Sequence, residues 1–550
     1  MENHNLRITS HVDQFVLEQL APKNLWPEMN YEVLPELKHY PVHMNAATEL
    51  IGKGIKDGYG DKIAVQYKKQ IWTYSELEII SNKIAGVLKN ELDFVPGNRV
   101  LVRSANHPML IASWLAILKA GGVAVATMPV LKRRELEYII EKAQIEYAIC
   151  HEVLIEELDE LKFEDNTLER IIQFGDGDNE LEKFMFSQPD SFENVETCST
   201  DPAIIGFTSG STGDPKGVVH FHRDLLAAAD TFAKYIVKIK PGDIVCGSPQ
   251  IAFLYGLCAF IVDTLRFGAS SVLLDRATPE SLLETIESSA ANVCFSTPSA
   301  YNMMLEHVHK YDLSSLRVCV AGGEPLLPAT FHEWEKLTGI RIINGLGISE
   351  LLHIFISSVP EESKPGTIGK GIPGFDVRVV NEKFEDTIPD EVGQMIVKGP
   401  IGCRYLGDEI RQEKYVKNGW NQSGDLCKKD EEGYISFEAR TDDMILTSGY
   451  NVSGLEVESV LMENDLVKEC AVVGSPDYKR GEIVKAFIVL KDFRIGNEET
   501  VSILQDFVKE NISSFKYPRE IEFVESLPLT ATGKIQRGVL REEEKQKKKD

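Results

Sequence analysis

The run Thr208-Ser209-Gly210-Ser211-Thr212-Gly213-Asp214-Pro215-Lys216-Gly217, entered from the apolar Ala203-Ile204-Ile205-Gly206-Phe207, has the makings of a phosphate cradle. Its glycines let the backbone reach positive φ and approach a ligand closely, its hydroxyls donate hydrogen bonds, and Lys216 supplies a cation for charge on phosphate oxygens. A Walker loop needs G-x-x-x-x-G-K-[ST] opening a helix. Here Pro215 precedes the lysine and Gly217 follows it, which disfavours kinase and P-loop chemistry. The bland alternative is a Gly/Ser turn between two strands.

Other segments add groups such a cradle would need. Asn344-Gly345-Leu346-Gly347-Ile348-Ser349-Glu350 sets a hydroxyl and a carboxylate after a flexible strand end, Ser349 for a phosphate oxygen and Glu350 for a hard cation such as Mg²⁺. The same pattern also makes a good helix N-terminus. Asp425, in Trp420-Asn421-Gln422-Ser423-Gly424-Asp425, can accept two hydrogen bonds from a ribose diol or close an Asx-turn. Arg440 with Asp442 and Asp443, taken alone, reads first as a salt-bridged surface turn. Lys534 follows Gly533 in a loop near the C-terminus and, taken alone, is a solvated lysine.

These residues need a scaffold larger than one core, because the chain has 550 residues and single cores stop growing at about 250 to 300. From about residue 60, short β-rich runs (Ile63-Ala64-Val65, Arg99-Val100-Leu101-Val102, Tyr147-Ala148-Ile149-Cys150, Val293-Cys294-Phe295, Val318-Cys319-Val320) alternate with helical patterns over 75–88, 224–235 and 279–288. That alternation predicts βα units and mainly parallel sheets, with the functional loops at strand ends. The texture changes to short strands with Gly and Asp turns over about 365–439, predicting a small β subdomain. A second, α+β domain is expected over 440–550, after a large α/β domain over 1–439. The charged run 541–550 predicts a frayed, solvated tail.

Composition removes several function classes. A net charge of −26 repels nucleic acid and anionic membranes, so any anionic ligand must be met by local cations. Nine cysteines without C-x-x-C spacing read as core residues in a reducing compartment. The polar start Met1-Glu2-Asn3-His4-Asn5 lacks signal-peptide character. The apolar stretches 109–130 and 251–267 are broken, by Lys119 with Gly121-Gly122 and by Asp263, so a cytoplasmic protein without membrane spans is expected.

In this order and at these separations the segments resemble the acyl-adenylate-forming superfamily of acyl-CoA synthetases, peptide-synthetase adenylation domains and beetle luciferases, over nearly the whole chain. The resemblance implies that Thr208, Ser209, Gly210, Ser211, Thr212, Gly213 and Lys216 hold ATP phosphates. It implies that Gly322, Gly323, Glu324, Pro325, Asn344, Gly345 and Leu346 face adenine, with Gly347 also in the nucleotide site, that Glu350 holds Mg²⁺ beside Ser349, and that Asp425 and Arg440 meet the ribose. Lys534 is then the adenylation lysine, and Asp442 the hinge about which a mobile C-terminal domain rotates to bring Ser448 and Gly449 to the site for thioester formation.

No carrier-protein segment follows Lys534, so the resemblance points to coenzyme A as acceptor and a small carboxylic acid as substrate. Ser10-His11-Val12-Asp13-Gln14-Phe15, His220-Phe221-His222-Arg223-Asp224, the stretch from Ser349 to Phe355 and Pro365-Gly366-Thr367-Ile368-Gly369-Lys370 look like the benzoate-CoA and 2-aminobenzoate-CoA ligase group. Leu254, Tyr255, Gly256 and His353 then form the acyl pocket. The chain departs from the pattern at Leu346, where an adenine-stacking aromatic is usual, at Ser349 for threonine, and at Leu254, where benzoate ligases carry a small residue. A medium-chain or branched fatty acyl-CoA synthetase is the alternative, and a non-catalytic nucleotide-binding protein the alternative of another class. A homodimer is left open.

Overall fold

The computed structural model describes residues 9–161, 167–175, 177, 179–210, 213–440, 444–447, 450–477, 480–512, 516–530 and 534–548. The architecture is α/β, with two large sheets and a small one in the N-terminal part and a fourth sheet in a smaller C-terminal part. One large sheet has six strands in the order 170–174, 147–151, 99–103, 123–127, 202–210, 213–221, all parallel except the last pair. The other has nine strands; its middle, 342–347, 318–322, 293–296, 244–247, 270–273 and 63–67, is parallel throughout.

Their strands read as continuous apolar runs because both faces are covered. Val100 and Val102 enter the large core shared with the nine-stranded sheet, whereas Leu101, one residue out of phase, enters the core on the opposite face. Between the sheets lie the helix Tyr74–Glu91, started by a Thr73–Glu76 capping box, and the fully buried helix Pro108–Lys119. The broken apolar stretch 251–267 is also helical there, from Leu254 to Arg266. Among the described residues no helix is long and apolar enough to cross a membrane.

The phosphate-cradle run is not an open loop. Strands Pro202–Gly210 and Gly213–Phe221 form an antiparallel hairpin, with Thr208 opposite Lys216 and Phe207 opposite Gly217. The bland reading and the functional one therefore describe a single object, a glycine-rich hairpin end. A second difference concerns the C-terminus. Of the residues expected to fray, 541–547 continue the helix Arg537–Lys547, whose Glu544 is fully buried and accepts from Lys485 Nζ (2.8 Å) and Ser475 Oγ (2.9 Å). Charge alone misled because the partners of Glu544, the ammonium of Lys485 and the hydroxyl of Ser475, stand on the strands Gly481–Leu490 and Val467–Asp477, far away in sequence. The nine cysteines are all free and buried.

Candidate active site

Strands Val318–Gly322 and Ile342–Gly347 are parallel neighbours with Gly322 opposite Gly345, so the segments that follow them leave the sheet at one carboxyl edge. Gly323 holds φ +90°, a conformation that favours glycine, and a Cβ there would stand 3.4 Å from Lys534 Cε. The Lys534 loop of the C-terminal part thus lies over the strand ends. It is braced by Thr530 N–H donating to the Lys534 carbonyl (2.7 Å) and by Lys534 N–H donating to Thr530 Oγ1 (3.0 Å). Nearby, Arg537 donates to both carboxylate oxygens of Glu458 (2.9 and 2.6 Å) and feels the charge of Glu324.

Glu350 follows the second of these strands in a single helical turn, Ser349–Leu351, and is buried. Its Oε1 accepts from Lys216 Nζ and from the Tyr405 hydroxyl (2.5 Å). Burial by itself would push the Glu350 carboxyl up, but the Lys216 ammonium and the Tyr405 hydroxyl outweigh it and hold the group below the usual carboxylate range. Among the described residues no three His, Cys, Asp or Glu side chains converge to cage a metal. A lone buried carboxylate instead suits Mg²⁺, which keeps waters and phosphate oxygens as most of its ligands. Thr208 Oγ1, across the hairpin from Lys216, is buried with no hydrogen-bond partner among the described residues, an orphan that a phosphate oxygen would satisfy.

Supporting contacts fix the hairpin to this turn. His220 Nε2 lies 2.8 Å from the Ser349 carbonyl, which can only accept, so that nitrogen carries the proton. Its Nδ1 faces Asp224 Oδ2 at 3.8 Å, and Asp224 in turn accepts from Arg404 Nη1 (2.8 Å) and Phe221 N–H (2.9 Å). Segment 404–406 extends the hairpin edge through Val219 N–H to the Arg404 carbonyl (2.8 Å) and Leu406 N–H to the Gly217 carbonyl (2.9 Å), which brings Tyr405 to Glu350.

A second cluster lies beside the strand ends. The Tyr255 ring abuts Gly322, where a Cβ would come within 3.0 Å of Tyr255 Cζ. Gly256 is needed for close approach, since its Cβ would fall 2.2 Å from the Gln250 carbonyl oxygen. His353 packs edge-on against Phe232, centroids 4.9 Å apart, and pairs through Nε2 with Asp263 Oδ2 at 3.0 Å. Burial pushes the Asp263 carboxyl up, and His353 only partly opposes it. Leu352, between Glu350 and His353, holds φ 68°, a strained value for a residue with a side chain and one met at functional sites.

Asp425 is buried and lies opposite Arg440 in the antiparallel pair of strands Trp420–Lys429 and Ile435–Arg440. Asn344 donates to the Thr367 carbonyl (3.1 Å), and Leu346 flanks the apolar cluster of Leu351, Phe355 and Ile356. Glu324, beside Pro325, accepts from Ser299 Oγ (2.5 Å). Ser209, Gly210 and Gly213 belong to the hairpin strands, and Gly347 ends its strand. Ser211, Thr212, Asp442, Ser448 and Gly449 lie outside the described residues.

Sequence reasoning missed Tyr405, which stands in no motif. It also passed over Asp263, although a carboxylate inside the apolar run 251–267 is a signal that a buried partner exists.

The AMP-binding enzyme family matches residues 56–405, and the AMP-binding enzyme C-terminal domain matches residues 456–534. An uncharacterised acyl-CoA ligase of Bacillus subtilis is 36% identical over 491 residues, covering 88% of this chain and 92% of that protein. A benzoate-CoA ligase of Thauera aromatica is 33% identical over 507 residues, 91% of this chain and 96% of that one. The crystal structure of the anthranilate CoA ligase AuaEII with anthranoyl-AMP superposes with a TM-score of 0.89 at 29% identity, covering 93% of this chain and 99% of that one.

Proposed function

The chain belongs to the AMP-binding enzymes, and on that premise we propose that this AMP-forming acyl-CoA ligase takes an aromatic carboxylic acid of the benzoate or 2-aminobenzoate type. The observation that carries the aromatic reading is the placement of Tyr255 beside Gly322, one residue from the glycine under Lys534, with His353 packed on the Tyr255 ring and Phe232 behind it. An acid whose ring lies among those side chains presents its carboxylate toward the lysine. The benzoate-CoA and anthranilate CoA ligases among the relatives support the same class.

In the first half-reaction a carboxylate oxygen attacks the α-phosphorus of ATP and pyrophosphate leaves. Lys534, a compact charge, neutralises carboxylate and α-phosphate oxygens as they converge. Lys216 and the Thr208 hydroxyl bind the departing phosphates, and Asp425 with Arg440 orients the ribose. Mg²⁺ held by Glu350 and the phosphates would draw charge from the leaving group. In the second half-reaction the CoA thiolate opens the mixed anhydride, forming the thioester and releasing AMP. Rotation about Asp442, which carries Lys534 away and brings in Ser448 and Gly449, serves that step.

The test is pyrophosphate release and kcat/KM over benzoate, 2-aminobenzoate, phenylacetate and hexanoate with ATP, Mg²⁺ and CoA. Preference for the aromatic acids is expected. Preference for hexanoate would replace the aromatic reading with a fatty acyl one, and no acid-dependent release with any acid would reduce the chain to a nucleotide-binding protein.

A further inference from the structure

Tyr405 reaches Glu350 from a segment outside the regular strands, which meets the hairpin at the isolated bridge between Tyr405 and Val218. In an extended chain the amide groups of alternate residues face opposite sides. On one side the Arg404 carbonyl and the Leu406 N–H bond to the hairpin, so the N–H and carbonyl of Cys403 and the N–H of Tyr405 turn the other way. Their partners there are not a strand but two buried side-chain amides. Gln412, fully buried on the short helix Glu409–Tyr415, accepts from Tyr405 N–H through Oε1 (2.9 Å) and donates through Nε2 to the carbonyls of Cys403 and Leu25 (3.1 Å each). Asn421 accepts from Cys403 N–H (2.9 Å) and donates to the Val397 carbonyl (3.1 Å). The Gln412 carboxamide thus copies the donor and acceptor of a backbone peptide and holds Tyr405 itself, whereas Asn421 holds the chain two residues earlier. The same helix supplies Tyr415, whose ring meets the Tyr405 ring edge-on with centroids 5.7 Å apart. One element therefore fixes both the backbone and the ring of Tyr405.

We propose, on the acyl-ligase reading of Glu350 as the Mg²⁺ carboxylate, that Gln412 is a positioning residue for the phosphate and metal site: acting through Tyr405, it sets the orientation in which Glu350 meets the cation. The path is short. Gln412 binds the backbone of Tyr405, and the Tyr405 hydroxyl binds Glu350 Oε1 (2.5 Å), the oxygen that Lys216 also engages. A side chain of similar size without the amide would leave the Tyr405 N–H and two carbonyls buried without that partner, and the phenol would move with its backbone.

Calorimetric titration of ATP into the wild type, Gln412→Met, Tyr405→Phe and the double variant, each in Mg²⁺ and in EDTA, reads this without turnover. Gln412→Met is expected to raise the Kd for ATP about fivefold in Mg²⁺, the equivalent of one net hydrogen bond, and about twofold or less in EDTA. Added to Tyr405→Phe, it should change the Kd in Mg²⁺ by no more than about twofold, because the path through the hydroxyl is already cut. Gln412→Glu keeps an oxygen for the Tyr405 N–H and should fall between the wild type and Gln412→Met; it is read in place of Gln412→Met if that variant does not fold. An equal change with and without the Tyr405 hydroxyl, or with and without Mg²⁺, makes Gln412 a structural residue only and overturns the positioning role. So does a wild type that binds ATP equally well in Mg²⁺ and in EDTA. A wild type that shows the expected binding pattern but no acid-dependent pyrophosphate release would refute the acyl-ligase reading and leave the role of Gln412 standing.

Discussion

Lys216 and Glu350, 134 positions apart in the chain, meet as an ion pair in which the carboxylate is almost wholly removed from water. A buried charge of that kind is tolerated only with a partner. The lysine that would follow phosphate charge is therefore also what keeps the carboxylate ionised before a ligand arrives. Phosphate and metal binding would exchange one set of partners for another, not create charge in an empty cleft.

Breaking that pair from one side should cost stability. Lys216→Met leaves Glu350 without its cation, held only by the Tyr405 hydroxyl, and is expected to destabilise by about 3 kcal/mol, whereas Lys216→Met with Glu350→Gln should cost less than the sum of the two singles. Denaturant unfolding of the four proteins of the cycle measures this; strict additivity would mean that the pair carries no coupling.

Tyr405 donates to Glu350 at 2.5 Å, so Tyr405→Phe removes one of two charge-assisted partners. About 2 kcal/mol is expected from such a loss, read as a fall of roughly thirtyfold in kcat/KM for ATP and a higher Mg²⁺ concentration for half-maximal activity. An unchanged Mg²⁺ dependence would make Tyr405 a packing residue only.

Lys534 lies beside Gly323, above the strand ends. Lys534→Ala is expected to slow pyrophosphate release by about 10² to 10³-fold while supplied acyl-AMP and CoA still give thioester. Equal loss in both half-reactions would contradict a role confined to adenylation.

His222 is fully buried, and its Nδ1 accepts from Ala46 N–H at 3.1 Å, which requires an unprotonated nitrogen. Burial, with the neighbouring His11, lowers its pKa from 6.5 to about 3. Between those values the unfolded chain binds a proton that the native protein does not, so stability falls as pH drops below about 6.5, by up to about 1.4 kcal/mol per pH unit. Relative to the wild type, His222→Gln should lose about 2 kcal/mol less between pH 7 and pH 5 in denaturant titrations. Parallel pH profiles would place the acid sensitivity elsewhere.

The C-terminal helix offers a further check. Glu544→Ala removes the buried acceptor of Lys485 and Ser475, and should destabilise the C-terminal part by about 3 kcal/mol, exposing the helix Arg537–Lys547 to proteolysis first. Cleavage kinetics matching the wild type would mean that the helix is held by its apolar face alone.

Much of the fold was legible in local pattern. The strands over 99–103, 147–151, 293–296 and 318–322 announce themselves as apolar runs because a parallel sheet covered on both faces needs no polar alternation. Glycine positions and Lys216 could be singled out from residue type, because the backbone or phosphate chemistry requires them, whereas Glu350, Asp425 and Lys534 stood out only through the resemblance to a known family. Tyr405 and Glu544 could not be singled out at all, since a tyrosine and a glutamate gain meaning only from a partner, and those partners lie 55 and 59 positions away.

The sequence by itself determined which groups are available: a glycine-rich run with a lysine, a metal-competent carboxylate, and an apolar pattern for layered parallel sheets. Only the tertiary structure decided that the run is a hairpin, that Lys216 neutralises Glu350, that Lys534 stands over Gly323, and that Leu254 is seated on Gly206. The reason is physical. Propensity and periodicity act over a few neighbouring residues, whereas the desolvation of a charge and the filling of a cavity depend on every element that packs around them.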